Sequence, residues 1–156
     1  MEKTLIILKP DSLQRGLAGR IINRFEEKGF QIVGLKAIQI SRPLAERHYA
    51  VHQGKPFYGR LIEYLTSSPV IVMVVQAVNG IGVARKMMGA TFGSKAEAGT
   101  IRGDFGLSNS FNLIHGSDSP EAAETEIAFY FKPEELLNYQ RGNERWIYDF
   151  SGGEPE

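Results

Sequence analysis

Apolar residues follow two rhythms along this chain, and the switches between them predict its elements. Residues 4–8, Thr-Leu-Ile-Ile-Leu, form a nearly continuous apolar run, the pattern of a strand covered on both faces. Lys9-Pro10-Asp11 ends it, because proline cannot donate to a ladder. Leu17, Ile21, Ile22 and Phe25 then recur at helical spacing, with Arg20, Asn23, Arg24, Glu26 and Glu27 between them and Lys28-Gly29 as the stop. Ile32, Val33, Leu35, Ile38 and Ile40 predict a long strand, bent or bulged at Gly34. Ser41 is the expected cap of a helix running through His48 and Tyr49. Gly54-Lys55-Pro56 breaks it, and Phe57, Leu61, Ile62 and Leu65 resume the helical period. Two short helices thus form a hairpin-like insertion able to wall a cleft.

Residues 70–75 are apolar throughout and bounded by turn residues, so they predict a buried strand. A helix follows from about Ile81 to Met88, with Val83, Met87 and Met88 inward, Arg85 and Lys86 on a more polar side, and Gly89 as its end. Between residues 90 and 114 no period holds, and Gly93, Gly99, Gly103 and Gly106 interrupt the chain. A long irregular segment in a compact domain is functional or disordered. This one ends at His115, which favours function. Ser119-Pro120-Glu121 has the order N-cap, first helical position and first-turn acid, starting a short helix that lasts to Glu126. Ile127-Ala128-Phe129-Tyr130-Phe131 has strand composition. The expected fold is therefore an α+β, ferredoxin-like βαββαβ sandwich with an antiparallel sheet, an inserted helical hairpin and a long irregular loop before His115.

At 156 residues the chain fits one domain spanning residues 1–156. Its 18 basic and 18 acidic residues leave no overall basic excess, so neither nucleic acid nor an anionic membrane is an expected partner. Cysteine is absent, which excludes disulfides and thiolate metal sites and is compatible with a reducing compartment. The apolar run near Met1 is too short for a signal peptide, and no run nears the roughly 20 residues of a membrane span. A cytoplasmic protein is expected. The aromatic end Trp146-Ile147-Tyr148-Asp149-Phe150 would be costly to leave in water, so it is expected to pack on the body or on a neighbouring subunit.

Chemistry concentrates at His115. A neutral imidazole, with an ordinary pKa of about 6.5, is already a nucleophile and suits attack on phosphorus. Gly116 permits close backbone approach or a positive φ, and Ser117, Asp118 and Glu126 lie within reach. A group that fixes one ring nitrogen selects the tautomer at the other. Lys9, Arg85 and Arg102 stand at or near the ends of elements, where a cation could meet an anion. His48, His52 and His115 show no metal-binding spacing beyond the i,i+4 pair 48 and 52, so no protein-held metal is expected. The chain lacks the Gly-x-x-x-x-Gly-Lys-Ser/Thr, Gly-x-Gly-x-x-Gly and Gly-x-Ser-x-Gly patterns, which argues against a P-loop enzyme, a dinucleotide-binding dehydrogenase and a hydrolase with a nucleophile elbow.

Asn112-x-x-His115-Gly116-Ser117-Asp118-Ser119 resembles the active-site signature of the nucleoside diphosphate kinase family. Leu8-Lys9-Pro10-Asp11, His48-Tyr49, Lys55-Pro56-Phe57, Met88-Gly89-Ala90-Thr91 and residues 99–105 extend the resemblance in order over nearly the whole chain. The resemblance implies that His115 takes the γ-phosphate of a nucleoside triphosphate, typically ATP, and passes it to a nucleoside diphosphate by a ping-pong route. It implies that Lys9, Arg85, Thr91, Arg102 and Asn112 hold phosphates and ribose, that Phe57 stacks on the base and that Leu61 lines its pocket. Lys9, Tyr49, Ser117 and Glu126 would support the histidine and phosphate. Mg2+ would ride on the nucleotide phosphates, with Asp118 at most a water-mediated contact. Family members are hexamers or tetramers, and the Trp-Ile-Tyr tail resembles the hexameric ones. A homohexamer is therefore favoured over a homotetramer, with residues 139–156 at a subunit interface. Departures from the family's usual residues are Phe92-Gly93 after Thr91, Val51 and His52 in the stretch after Tyr49, and Phe111 before Asn112. Two other readings are a nucleic-acid-binding module, which lacks an aromatic RNA-binding strand here, and a structural oligomer with a decayed site, which the intact Lys9, Arg102, Asn112 and His115 argue against.

Overall fold

The computed structural model describes every residue from Met1 to Glu156. In chain order the main elements are β1 (Glu2–Leu8), α1 (Pro10–Gln14), α2 (Ala18–Lys28), β2 (Gln31–Ile38), α3 (Arg42–His48), α4 (Tyr58–Thr66), β3 (Val70–Ala77), α5 (Gly80–Met88), α6 (Ile101–Phe105), β4 (Ile114–Gly116) and α7 (Pro120–Tyr130). The four strands form one sheet in the order β2-β3-β1-β4, and every neighbouring pair is antiparallel. Order and direction match the expected ferredoxin-like arrangement, with α3 and α4 inserted between β2 and β3.

The sheet is covered on both sides. Leu5, Ile6, Ile7 and Leu8 are all fully buried, and the strand's alternation divides them between two cores. Ile6 and Leu8 pack with Ile21 and Phe25 of α2 and with Ala84 and Met88 of α5. Leu5 and Ile7 pack with Ala45 of α3, Ile62 and Leu65 of α4, and Tyr130 of α7. Burying each such aliphatic side chain contributes about 1.5–3 kcal/mol. An apolar run on a central strand is what this demands.

Several expectations change. Pro10 stops β1 and also starts α1, since a fixed φ and a missing N–H both suit a first helical turn. The β2 register shifts between Ile32 and Gly34, so the bulge centres on Val33. Ser41 caps α3 as expected, its Oγ accepting from the Leu44 amide at 3.3 Å. On α5 the deeply buried positions are Ile81, Ala84 and Met88, while Val83 and Met87 are half-buried. The segment between residues 90 and 114 holds a 3-10 turn, Gly93–Lys95, and α6, whose cap Thr100 accepts from the Gly103 amide at 3.0 Å. Two crossing glycines explain its composition: a Cβ on Gly93 would stand 2.4 Å from the carbonyl oxygen of Gly106.

The strand expected at residues 127–131 is instead the second half of α7. Ala123, Ile127 and Tyr130 recur at i, i+4 and i+7, and they turn that helix's inner face toward the sheet. The Ser119 Oγ accepts from the Ala122 amide at 3.1 Å, so the helix is capped where expected and runs longer. The fourth strand is residues 114–116, which pair with Leu8, Ile7 and Ile6.

The C-terminal residues run beside β2 and across the end of α2. The Leu137 amide donates to the Val33 carbonyl at 2.8 Å, and the Tyr139 hydroxyl donates to the Ile32 carbonyl at 2.8 Å. Arg141 donates to the carbonyls of Gly29 and Phe30 at 3.0 and 3.1 Å. These bonds use backbone groups that an open sheet edge and a helix end would otherwise leave unpaired. No helix is long and apolar enough to cross a membrane.

Candidate active site

Strand alternation decides where His115 faces. On β4, Ile114 joins the core beneath α2 and α5, so His115 projects to the opposite side, toward α3 and α7. There its Nε2 lies 2.7 Å from Glu126 Oε2, and its Nδ1 lies 3.3 Å from the Tyr49 hydroxyl. Ser117, two residues on and therefore on the same face, donates to the same carboxylate oxygen at 2.9 Å and accepts from the Leu5 amide at 3.2 Å. His48 stands edge-on to His115, with ring centres 4.6 Å apart and planes at 87°. Its Nδ1 is 2.6 Å from the Tyr130 hydroxyl, and its Nε2 is 3.6 Å from Glu126 Oε1.

Burial penalises the Glu126 carboxylate, but the hydrogen bond from His115 and the nearby His48 ring outweigh it and hold the group well below the usual carboxylate range. Burial likewise disfavours a charged His115 and lowers its pKa to about 4 against the pull of Glu126. The ring is therefore neutral near pH 7. A carboxylate can only accept, so Nε2 carries the proton and Nδ1 keeps its lone pair. Burial raises the Tyr49 pKa, so its phenol stays protonated beside that lone pair.

The other half of the site rests on a strained residue. Leu113 has φ of 70°, a conformation that costs a leucine about 1–2 kcal/mol, and it is fully buried. Its amide donates to Asp11 Oδ2 at 3.2 Å, and its carbonyl accepts from the Lys9 amide at 2.8 Å and from Ser12 Oγ at 2.6 Å. The first turn of α1 thus clamps the entry to β4. Lys9 Nζ donates to Asn112 Oδ1 at 2.7 Å, and Asn112 Nδ2 donates to the Thr91 carbonyl at 3.0 Å. Arg102 donates to the carbonyls of Asn112, Gly89 and Ile114 at 3.1, 3.0 and 2.6 Å. Arg85 reaches the Gly116 carbonyl at 3.2 Å.

Lys9 and Arg102 are buried, and Arg85 stands exposed beside them. Burial, then Arg102, lowers Lys9 to about 7, and burial, then Arg85, lowers Arg102 to about 10. Like charges held together in this way form a ready place for a polyanion. Of the residues expected from the sequence, Lys9, Tyr49, Arg85, Arg102, Asn112, Ser117 and Glu126 all join the network around His115. Thr91 joins through its backbone, and its side chain is exposed. Phe57 sits on the rim, 48% exposed and edge-on to His52 at 5.3 Å, and His52 in turn stacks on Tyr49 at 5.9 Å. Leu61 packs at the margin of the second core, and Asp118 is exposed on the turn after β4. Three participants were given no role from the sequence. Asp11 and Tyr64, whose hydroxyl donates to Asp11, position Leu113, and His48 faces Glu126. Asp11 had a signal in its place after Lys9-Pro10; His48 had only its adjacency to Tyr49.

Fold and site together define an α+β domain that presents one imidazole nucleophile beside a cluster of cations, two of them buried. The profile of the family described as nucleoside diphosphate kinase matches residues 2–136. Nucleoside diphosphate kinases of Pelotomaculum thermopropionicum and Carboxydothermus hydrogenoformans are 54% and 56% identical to the chain, in each case over 96% of it and 100% of the relative. The solved structure of a halophilic nucleoside diphosphate kinase from Halobacterium salinarum in complex with CDP superposes with a TM-score of 0.93 at 44% identity, covering 95% of this chain and 99% of that one. A family member from Babesia bovis gives a TM-score of 0.91 at 40% identity, covering 95% of this chain and all of the other. The chain belongs to the nucleoside diphosphate kinase family, whose activity is phosphate transfer between nucleotides.

Proposed function

We propose that His115 Nδ1 attacks the γ-phosphorus of a nucleoside triphosphate, and that the resulting phosphohistidine gives its phosphate to a second nucleoside diphosphate in the same cleft. The observation that carries this reading is the carboxylate of Glu126 at 2.7 Å from Nε2, which leaves Nδ1 as the free lone pair of a neutral ring. In the first half-reaction the Nδ1–P bond forms as the bond from phosphorus to the β–γ bridging oxygen breaks, and the electron pair leaves with the diphosphate. No proton needs to move. The ring becomes positive while Nε2–H stays on Glu126, whose negative charge stabilises it. The second half-reaction reverses these steps with a different diphosphate.

Lys9, Arg85 and Arg102 would offset the phosphate charge, Asn112 and Thr91 would hold phosphate or ribose, and Tyr49 and Ser117 would keep the imidazole and carboxylate in register. Phosphoryl transfer depends on such positioning and charge neutralisation more than on covalent assistance. Phe57, exposed on the rim, would stack on the base with Leu61 behind it. Stacking on one aromatic face accepts any base, which supports broad nucleotide specificity.

Mg2+ prefers six oxygen ligands and keeps several of its waters. The polyanion side of this cleft is lined by cations, and Asp118, on the turn after β4, is a single exposed carboxylate. The chemistry fits Mg2+ arriving on the nucleotide phosphates, with Asp118 reaching it through water. There it would neutralise phosphate charge.

A homohexamer, with a homotetramer as the alternative, follows from the tail reading. Residues 139–156 lie on the body in part, yet Trp146 remains 79% exposed, which suits a subunit interface. Light scattering should give a hexamer mass that falls when residues 139–156 are removed; an unchanged mass would detach the tail from assembly. A cytoplasmic setting is part of the same reading.

Mixing the protein with γ-labelled ATP and Mg2+ tests the mechanism. An acid-labile, base-stable label should appear on the chain, and GDP, CDP and TDP should each discharge it. His115→Ala should remove the label altogether. A label that survives that substitution, or none on the parent protein, sinks the phosphohistidine.

A further inference from the structure

His48 is the buried group beside Glu126 whose Nε2 no step of the phosphate transfer uses. It is 7% exposed, and its Nε2 is a buried polar atom without a hydrogen-bond partner. Both tautomers leave it so. With Nδ1–H donating to the Tyr130 hydroxyl at 2.6 Å, a bare Nε2 lone pair faces Glu126 Oε1 at 3.6 Å. With the hydroxyl donating instead, Nε2–H aims at the same oxygen from beyond hydrogen-bond range. A buried, unsatisfied nitrogen in a native fold calls for an explanation.

One coordination atom from each of His48, His115 and Glu126 lies within 4.8 Å of the other two. Tetrahedral zinc places its N and O ligands about 3.3 Å apart. His48 Nε2 stands 3.6 Å from Glu126 Oε1, near that value, and His115 Nε2 stands 2.7 Å from the other carboxylate oxygen, Oε2, a spacing that needs to open slightly, so each histidine faces its own oxygen of the carboxylate. Two imidazoles and a carboxylate form a donor set for a borderline transition ion and a poor one for Mg2+. The outer contacts suit it too. Tyr130 can accept from His48 Nδ1–H, which aims Nε2 inward, and Ser117 holds the carboxylate.

We propose that His48, His115 and Glu126 form an inhibitory site for a zinc-class divalent cation, bound through Nε2 of each histidine and the Glu126 carboxylate. Its effect on His115 rests on the phosphohistidine reading; the binding itself does not. Coordination takes the Nε2 lone pair, so the single proton of the neutral ring moves from Nε2 to Nδ1, where the Tyr49 hydroxyl can accept it at 3.3 Å. Nδ1 then has no lone pair for phosphorus. No proton is released by the ring, and no redox partner is required. The fourth position is left to water.

Zinc chloride is titrated into the nucleotide-free full chain against a chromophoric chelator, and Co2+ serves as a spectroscopic probe in parallel. One ion per chain should bind, and Co2+ should show the strong visible absorption of a four- or five-coordinate site. His48→Asn should weaken zinc binding by about 10–100-fold. Zinc should stop labelling by γ-labelled ATP in excess Mg2+, and a zinc-selective chelator should restore it. Equal zinc affinity in the parent and His48→Asn, a weak octahedral Co2+ spectrum, or undiminished labelling of the zinc-loaded parent would each overturn the site. If His48→Asn does not fold, Glu126→Gln carries the same comparison. A chain that binds zinc through His48 yet never takes label from ATP sinks the phosphotransfer reading and leaves the metal site standing.

Discussion

On one side of β4, Ile114 and the α-carbon of Gly116 meet Ile6 and Met88 with no polar atom between them; on the other, His115 and Ser117 share one carboxylate with His48 facing it. The same three-residue strand and the residue after it supply both. The apolar side holds the backbone in place by close packing, which is stiff and indifferent to pH. The polar side holds one ring by hydrogen bonds whose strength depends on charge. Position and reactivity are therefore set by different forces, and substitutions should separate them.

The widest separation compares Phe25→Ala with Glu126→Gln. Phe25 is fully buried beneath the sheet, so its truncation should cost about 3–5 kcal/mol in chemical denaturation while turnover per folded molecule stays near the parent value. Glutamine keeps the shape of Glu126 but carries no charge to stabilise the positive ring that attack creates. Labelling by γ-labelled ATP should slow by about 100-fold. A large loss of turnover in folded Phe25→Ala, or a normal rate in Glu126→Gln, would erase the division between the two faces.

That division explains which parts were legible beforehand. β1, α2 and β3 carry one unbroken period each, because burial on a single face or on both repeats over several residues. β4 has room for one alternation only, so no period can appear, and its place went to residues 127–131. There β-branched and aromatic composition outweighed the i, i+4, i+7 spacing of Ala123, Ile127 and Tyr130. His115, Glu126 and Ser117 were legible because a strand turn and a helix keep them near in sequence, and Lys9, Arg102 and Asn112 because they match family motifs. His48 is far from His115 and Glu126 along the chain, and only the packing of α3 against α7 brings it to the carboxylate. The clamp on Leu113 was hidden for the same reason, since a positive φ at leucine leaves no mark in composition.

A smaller effect comes from pH. Unfolded histidine titrates near 6.5, whereas burial lowers folded His115 to about 4. Between those values the unfolded chain binds the extra proton, so stability should fall as pH drops through that window. Glu126, depressed in the fold, adds a loss in the same direction as pH falls below the unfolded carboxylate's pKa of about 4.5. His115 should contribute on the order of 1–3 kcal/mol across its window, read as the difference between urea midpoints of the parent and His115→Asn. Phe25→Ala should keep the full slope. Identical pH dependence in the parent and His115→Asn would mean that burial does not hold this ring neutral.

The smallest expected effect lies where the two sides touch. Gly116 has no positive φ, so its glycine is required by contact alone: a Cβ would stand 2.6 Å from Met88 Sδ and 3.2 Å from Ile6 Cδ1. The methionine end is flexible and can yield, which limits the cost of Gly116→Ala to about 1–2 kcal/mol. The strand must still shift slightly toward the polar side, and the His115 ring moves with it. Labelling should therefore slow by a few fold, a larger change than the stability loss alone would produce at saturating ATP. Shortening the obstacle in Gly116→Ala/Met88→Ala should return the labelling rate toward the parent value while lowering stability further, because it opens a cavity beneath the sheet. Rate and stability moving together in that double variant would show that apolar packing does not set the position of the nucleophile.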